Sequence, residues 1–163
     1  MFWITSCISQ GGYPDDADFQ RLRDAGITHL FNVDLPYLDS DALKQMGFSG
    51  VLWKPIIDGR RIPDTDALSC LDALHEALQL PQSRVYVHCH AGIQRSPTIL
   101  WLYFIACGLS PDEARDLIIR SSKHAAAPYP ALCDVTLVNV IKDHGKRNYL
   151  PLRRAEILLP SIS

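Results

Sequence analysis

Cys89 and Arg95 stand six positions apart in the run VYVHCHAGIQRS, residues 85–96, and both are residue types that handle phosphate. A cysteine among positive charges and helix-end N–H groups favours its thiolate, the nucleophilic form. An arginine holds two phosphate oxygens in a planar fork, stays charged at any relevant pH and compensates the charge of a trigonal-bipyramidal transition state. His90, Ala91, Gly92, Ile93 and Gln94, together with Arg95, offer backbone N–H groups to the same oxyanion. Gly92 permits positive φ and close backbone approach. Ser96 reads as the N-cap of the next helix, its hydroxyl within reach of the Cys89 sulfur, and Pro97 suits a first helical turn. The chemistry implied is nucleophilic displacement at phosphorus.

The elements around this run must hold it open. Val85, Tyr86 and Val87 are β-formers, and the apolar stretch TILWLYFIACGL after Pro97 reads as a buried helix. Residues 89–95 are therefore a loop from a strand's end to a helix N-terminus, where anions are favoured. Phe2–Thr5 reads as a first strand; Asp15 or Asp16 caps a helix through Ala25 that Gly26 stops. A buried strand over Ile27–Val33, a short helix in DSDALKQMG and a strand over Gly50–Pro55 follow. A long helix begins at Asp64, read as its N-cap, then the strand ending at His88, then helices from Ser96, Ser110 and roughly Ala131. This alternation predicts a single α/β domain: a central, mostly parallel sheet flanked by helices, with the nucleophile at a strand's carboxyl end. The tail, residues 145–163, holds two prolines without clear helical periodicity and is expected to pack on the domain or fray.

His88-Cys89-x5-Arg95-Ser96 resembles the signature of cysteine-dependent protein tyrosine phosphatases, and HCHAGIQRSP in a chain of this length is most similar to their dual-specificity branch. The likeness runs roughly from Ile4 to Ile141 and implies one dual-specificity phosphatase-like catalytic domain over residues 1–163. It implies hydrolysis of a phosphomonoester through a phosphocysteine on Cys89, with phosphotyrosine or phosphoserine/threonine in proteins as first-choice substrate. It also implies a general acid on a loop about thirty residues before the cysteine, since the leaving oxygen must be protonated. Asp58 lies 31 residues before Cys89, in WKPIIDGRRIPD, with Gly59 after it. Asp64 and Asp66 compete, though they suit a helix start. In the family His88 organises the loop's hydrogen bonds, and Ser96 steadies the departing thiolate. Many members place a glutamine or asparagine later in the chain to position the hydrolytic water. Here Pro128 and Tyr129 occupy that region and Asn139 lies further on, so ionised Asp58 is assigned as base in the second step.

Other readings stand beside this one. A phosphate-recognising scaffold with little turnover would carry the same loop, as would sulfur or arsenate chemistry, which gives Asp58 no role. His90, Ile93 and Gln94 supply no lysine, so a polyanionic lipid head group is a poor fit, while phosphosugars, phospholipids and nucleotides stay open. Arg60-Arg61 would attract a second anion or serve as solvated loop residues; Trp53 and Tyr129 would line the pocket or belong to the core. No metal or other cofactor is expected, because the histidines and cysteine here lie too close in sequence for a zinc site.

The 163 residues, 47% hydrophobic and 21% charged with a formal net charge of −2, suit one ordinary globular domain and give no reason to bind nucleic acid. The opening MFWITSCIS lacks a basic n-region, and no apolar run reaches the roughly 20 residues of a membrane span. The cysteines, Cys7, Cys70, Cys89, Cys107 and Cys133, are odd in number and unpaired in spacing, unlike a disulfide framework. Cys70 and Cys107 fall on apolar helix faces and read as core residues, and a redox partner for Cys89 is left open. A cytoplasmic, reducing setting and a monomer are the expectations.

Overall fold

Along the chain run β1 (Phe2–Trp3), β2 (Ile8–Gly11), α1 (Asp16–Asp24), β3 (His29–Asn32), α2 (Ser40–Gln45), β4 (Gly50–Trp53), α3 (Asp64–Gln79), β5 (Val85–His88), α4 (Arg95–Ala106), α5 (Pro111–Ser121) and α6 (Val135–Asn148). The computed structural model describes residues 1–35 and 38–151. The strands form one sheet in the order β1-β2-β5-β3-β4. β1 runs antiparallel to β2, and every other pairing is parallel. Val85 pairs with Ile8 on one side and His29 on the other, and His88 with Gly11 and Asn32. The carboxyl ends of β2, β5 and β3 therefore lie level, and the chain segments that leave them share one edge.

Side-chain alternation divides the core. Phe31, Val85 and Val87 face the larger cluster with α3, α4 and α6, while Leu30 and Tyr86 face Phe19, Leu22 and Leu43 from α1 and α2. Every residue of α4 is buried, as its unbroken apolar run predicts. α6 reaches it closely because Gly145 has no side chain: a Cβ there would lie 2.0 Å from the Ala106 carbonyl oxygen. Asp15 closes a capping box with Asp18, and Ser110 closes one with Glu113 ahead of Pro111.

Several boundaries differ from the sequence expectation. The first strand stops at Trp3, and β2, which has only Ile8 as an apolar residue, was not anticipated. α3 starts at Asp64 with Pro63 before it, so Asp64 is no N-cap; its carboxylate takes an Arg61 ion pair at 2.9 Å. α4 starts at Arg95 after Gln94, so Ser96 lies inside the helix. α6 begins at Val135, capped by Asp134, and residues 145–148 of the expected tail are its last turn, followed by buried Tyr149. Residues 152–163 of that tail lie outside the described residues. Trp53 is exposed at the end of β4 and is not core.

Candidate active site

The loop after β5 is turned inside out relative to an ordinary turn. The His90 carbonyl accepts from the Tyr13 amide at 2.9 Å, Gly92 O from Gln10 Nε2 at 2.6 Å, and Ile93 O from the Ala126 amide at 2.7 Å. In a trans peptide the carbonyl and the following N–H point oppositely, so the N–H groups of Ala91, Ile93 and Gln94 point away from the scaffold. Among the described residues, the amides of residues 90–94 donate to no partner. Gly92, at φ +69, makes this packing possible: a Cβ there would sit 2.4 Å from the Gly11 backbone carbon. The result is a nest of N–H groups beside the first turn of α4.

Cys89 lies at the base of this nest, 2% exposed. Ser96 Oγ donates to its sulfur at 3.3 Å, the contact that the sequence led us to expect from a capping serine and that the helical serine makes instead. Beneath both sits Gln10 of β2, fully buried, whose Nε2 reaches Gly92 O and, at 3.1 Å, Ser96 Oγ. Sequence reasoning passed over Gln10 because a polar ISQG segment does not look like a buried strand.

Arg95, its side chain 9% exposed, is flanked by two carboxylates. Nη1 donates to Asp34 Oδ1 at 2.5 Å, and Nη2 lies 3.9 Å from Asp58 Oδ2. Asp34 was not among the sequence candidates. It is buried just past β3, receives the Leu35 amide on Oδ1 and accepts Trp53 Nε1 on its main-chain oxygen, while its Oδ2 has no hydrogen-bond partner. An aspartate directly after an apolar strand, where ligand sites gather in parallel sheets, was the available signal. His90, exposed, brings Nδ1 to 3.8 Å from Asp34 Oδ2.

Asp58 is the sequence-derived aspartate that lies beside Arg95. Its side chain is 56% exposed and accepts the Gly59 amide. Arg61 is not free to take a second anion: it bonds Asp134 at 2.6 Å and Asp64 at 2.9 Å. Those carboxylates hold its guanidinium above its ordinary range, and Arg61 in turn holds Asp134 below the usual carboxylate range. Arg60 is exposed. Tyr129 donates its amide to Thr98 Oγ1 and packs against the larger core, and Asn139 is on the exposed side of α6.

Both His88 ring nitrogens are buried without a well-formed hydrogen bond, and the Cys89 backbone is near enough to pull on the ring. The ring stacks on Tyr86 and meets the edge of Tyr13, at 5.6 and 5.5 Å between centroids. Burial lowers its pKa to about 4, against the smaller opposing pull of the Cys89 backbone and the Asp34 charge, so it is neutral at pH 7. Tyr86 uses its hydroxyl to fix Gly12 O at 2.7 Å, beside the nest, and burial pushes its own pKa well up. Burial likewise pushes the Cys70 thiol up to about 12, consistent with an inert core residue.

No protein-family model matches the chain. Mouse dual specificity protein phosphatase 12 is 35% identical over 123 residues, covering 71% of this chain and 34% of that protein. The human protein of the same name is 33% identical over 108 residues, covering 63% and 30%. The chain thus spans about a third of the length of the curated relatives it matches. Human DUSP28 has the same fold, with a TM-score of 0.70 at 17% identity over 90% of this chain and 96% of its own. PTPMT1, in a complex with PI(5)P, superposes with a TM-score of 0.67 at 22% identity over 88% and 93%. Fold and curated relatives agree, and the chain belongs to the cysteine-dependent protein tyrosine phosphatase superfamily, in its dual-specificity phosphatase-like branch.

Proposed function

We propose that the chain is a metal-independent phosphomonoester hydrolase, one catalytic domain over residues 1–163, working as a monomer through a phosphocysteine. The Cys89 thiolate attacks phosphorus while Arg95 and the amides of residues 90–95 hold the non-bridging oxygens. Asp58 gives its proton to the departing ester oxygen as the P–O bond breaks. Water then attacks the phosphocysteine, ionised Asp58 takes its proton, and the S–P bonding pair returns to sulfur, steadied by the Ser96 hydroxyl. The observation that carries this reading is the set of three outward-tied carbonyls around a buried cysteine and arginine.

Protein phosphotyrosine, with phosphoserine and phosphothreonine, is the first-choice substrate. Leu35, Trp53, Ile57 and Ile93 are exposed apolar residues adjoining Asp34, Asp58 and the nest, which suits an aryl ester better than a further anion. Five free cysteines favour a cytoplasmic, reducing setting, where a thiolate persists. No helix among the described residues is long and apolar enough to cross a membrane.

A second reading, a phosphate-recognising scaffold of low turnover, is favoured by one observation: Arg95 is already engaged by Asp34. Hydrolysis of p-nitrophenyl phosphate between pH 5 and 8 separates the two. Vanadate-sensitive turnover that vanishes in Cys89→Ser, while tungstate still raises that variant's melting temperature, is the expected result. Tungstate binding without turnover in the wild type selects the scaffold. Ranking phosphopeptides, phosphoinositides and sugar phosphates by kcat/KM then fixes the substrate class.

A further inference from the structure

We propose that Gln10 is a positioning residue that commits the single Ser96 hydroxyl proton to the Cys89 sulfur and so holds the nucleophile as thiolate. The proposal rests on the reading of Cys89 as nucleophile.

The argument is one of donors and acceptors. Gly92 O is a carbonyl and only accepts, so the Gln10 atom 2.6 Å from it must be the amide nitrogen. That nitrogen has two hydrogens, and its second partner is Ser96 Oγ at 3.1 Å. Ser96 Oγ therefore receives an N–H and must turn its own proton elsewhere. Its acceptor is Cys89 Sγ, 3.3 Å away. Gln10 thus fixes the direction of the hydroxyl and polarises it at the same time.

Gln10 is also an unlikely choice for packing. It is fully buried in β2 with Oε1 unpartnered, where an aliphatic side chain would leave no orphan acceptor. Its amide has no line to the cleft, because Gly92 and Ser96 take up its nitrogen. It is therefore not the missing water-positioning amide, and its effect passes through Ser96.

Alkylation of Cys89 by iodoacetamide, followed across pH 5 to 9 and localised by peptide mass spectrometry, tests this without requiring turnover. Gln10→Met, near-isosteric but unable to donate, is expected to slow alkylation at pH 6 about three- to tenfold and to move the half-maximal pH upward. Ser96→Ala should do the same, and the double variant should add nothing further. In the wild type, the Gln10 side-chain amide resonance should move with the pH dependence of alkylation and lie flat in Ser96→Ala, a readout that survives even if Gln10→Met fails to fold. An unchanged profile in Ser96→Ala, additive losses in the double variant, or a flat Gln10 resonance in the wild type overturns the proposal. Failure of the phosphatase reading would appear separately, as absent p-nitrophenyl phosphate turnover with the alkylation behaviour intact.

Discussion

The loops that follow β5 and β4 leave the same edge of the sheet and are built in opposite ways. After β5, three carbonyls are tied to Gln10, Tyr13 and Ala126, Cys89 and Arg95 are buried, and a glycine carries the one turn that no side chain would allow. After β4, the chain is pinned at Ile56, whose amide bonds Val33 O, and at Ile62, whose amide bonds Leu132 O. Between those pins Ile57, Asp58, Gly59, Arg60 and Arg61 are exposed. Under the proposed function, the contrast follows from what each loop would supply. An oxyanion nest works only if its dipoles are in place before charge develops. A proton donor must exchange with solvent and approach the leaving oxygen only when substrate is present.

The largest expected effect falls on the loose loop and leaves stability alone. Asp58→Asn should lower kcat for an alkyl phosphate by about 10²- to 10⁴-fold, the usual worth of general acid catalysis. For p-nitrophenyl phosphate the loss should be smaller, because that leaving group departs without full protonation. The urea midpoint should stay put, since the side chain is half exposed and its hydrogen bond is to the next residue's amide. Equal rate losses for both esters, or a lowered midpoint, would mean that Asp58 is a structural residue and the contrast is false.

The tight loop should behave the other way round. Asp34→Ala strands Arg95 without its buried partner, and breaking such a pair from one side costs about 3–5 kcal/mol. Urea titration should register this, and phosphate or tungstate should recover more of the midpoint in the variant than in the wild type, because the anion restores the missing charge. A variant as stable as the wild type, with no greater anion rescue, would show that Asp34 does not hold Arg95.

This division explains what was legible in the sequence. The nest could be read because its parts are neighbours in the chain: a β-run, Cys89, Gly92, Arg95 and an apolar helix. Helix starts at Asp15 and Ser110 could be read because their caps are local. Asp34 and Gln10 escaped because their roles come from sheet order. β5 lies between β2 and β3, and the pairings His88 with Gly11 and His88 with Asn32 carry both residues to the loop from far away in the chain. β2 itself escaped because its burial comes from strands on both sides and not from its own apolar pattern. Ser96 was misassigned as a cap since a local preference was weighed against nothing, whereas the folded chain sets its hydroxyl between Gln10 and Cys89.

His88 offers the smallest and most specific test of the tight side. It lies directly before Cys89, and burial sets its pKa at about 4, from the 6.5 of a free histidine. Between those two values the unfolded chain binds a proton at this residue and the folded chain does not. Stability therefore falls as pH drops from about 6.5 to about 4 and has no further dependence on this residue below that, a total of about 3 kcal/mol. His29 and His75, also lowered by burial, slope in the same direction, so the measurement must be a difference. Urea midpoints of the wild type and His88→Gln at pH 7, 5.5 and 4.5 provide it: the wild type should lose stability more steeply on acidification, and the excess belongs to His88. Parallel slopes would mean that the ring accepts a proton in the folded state, and the floor of the nest would then be a yielding one.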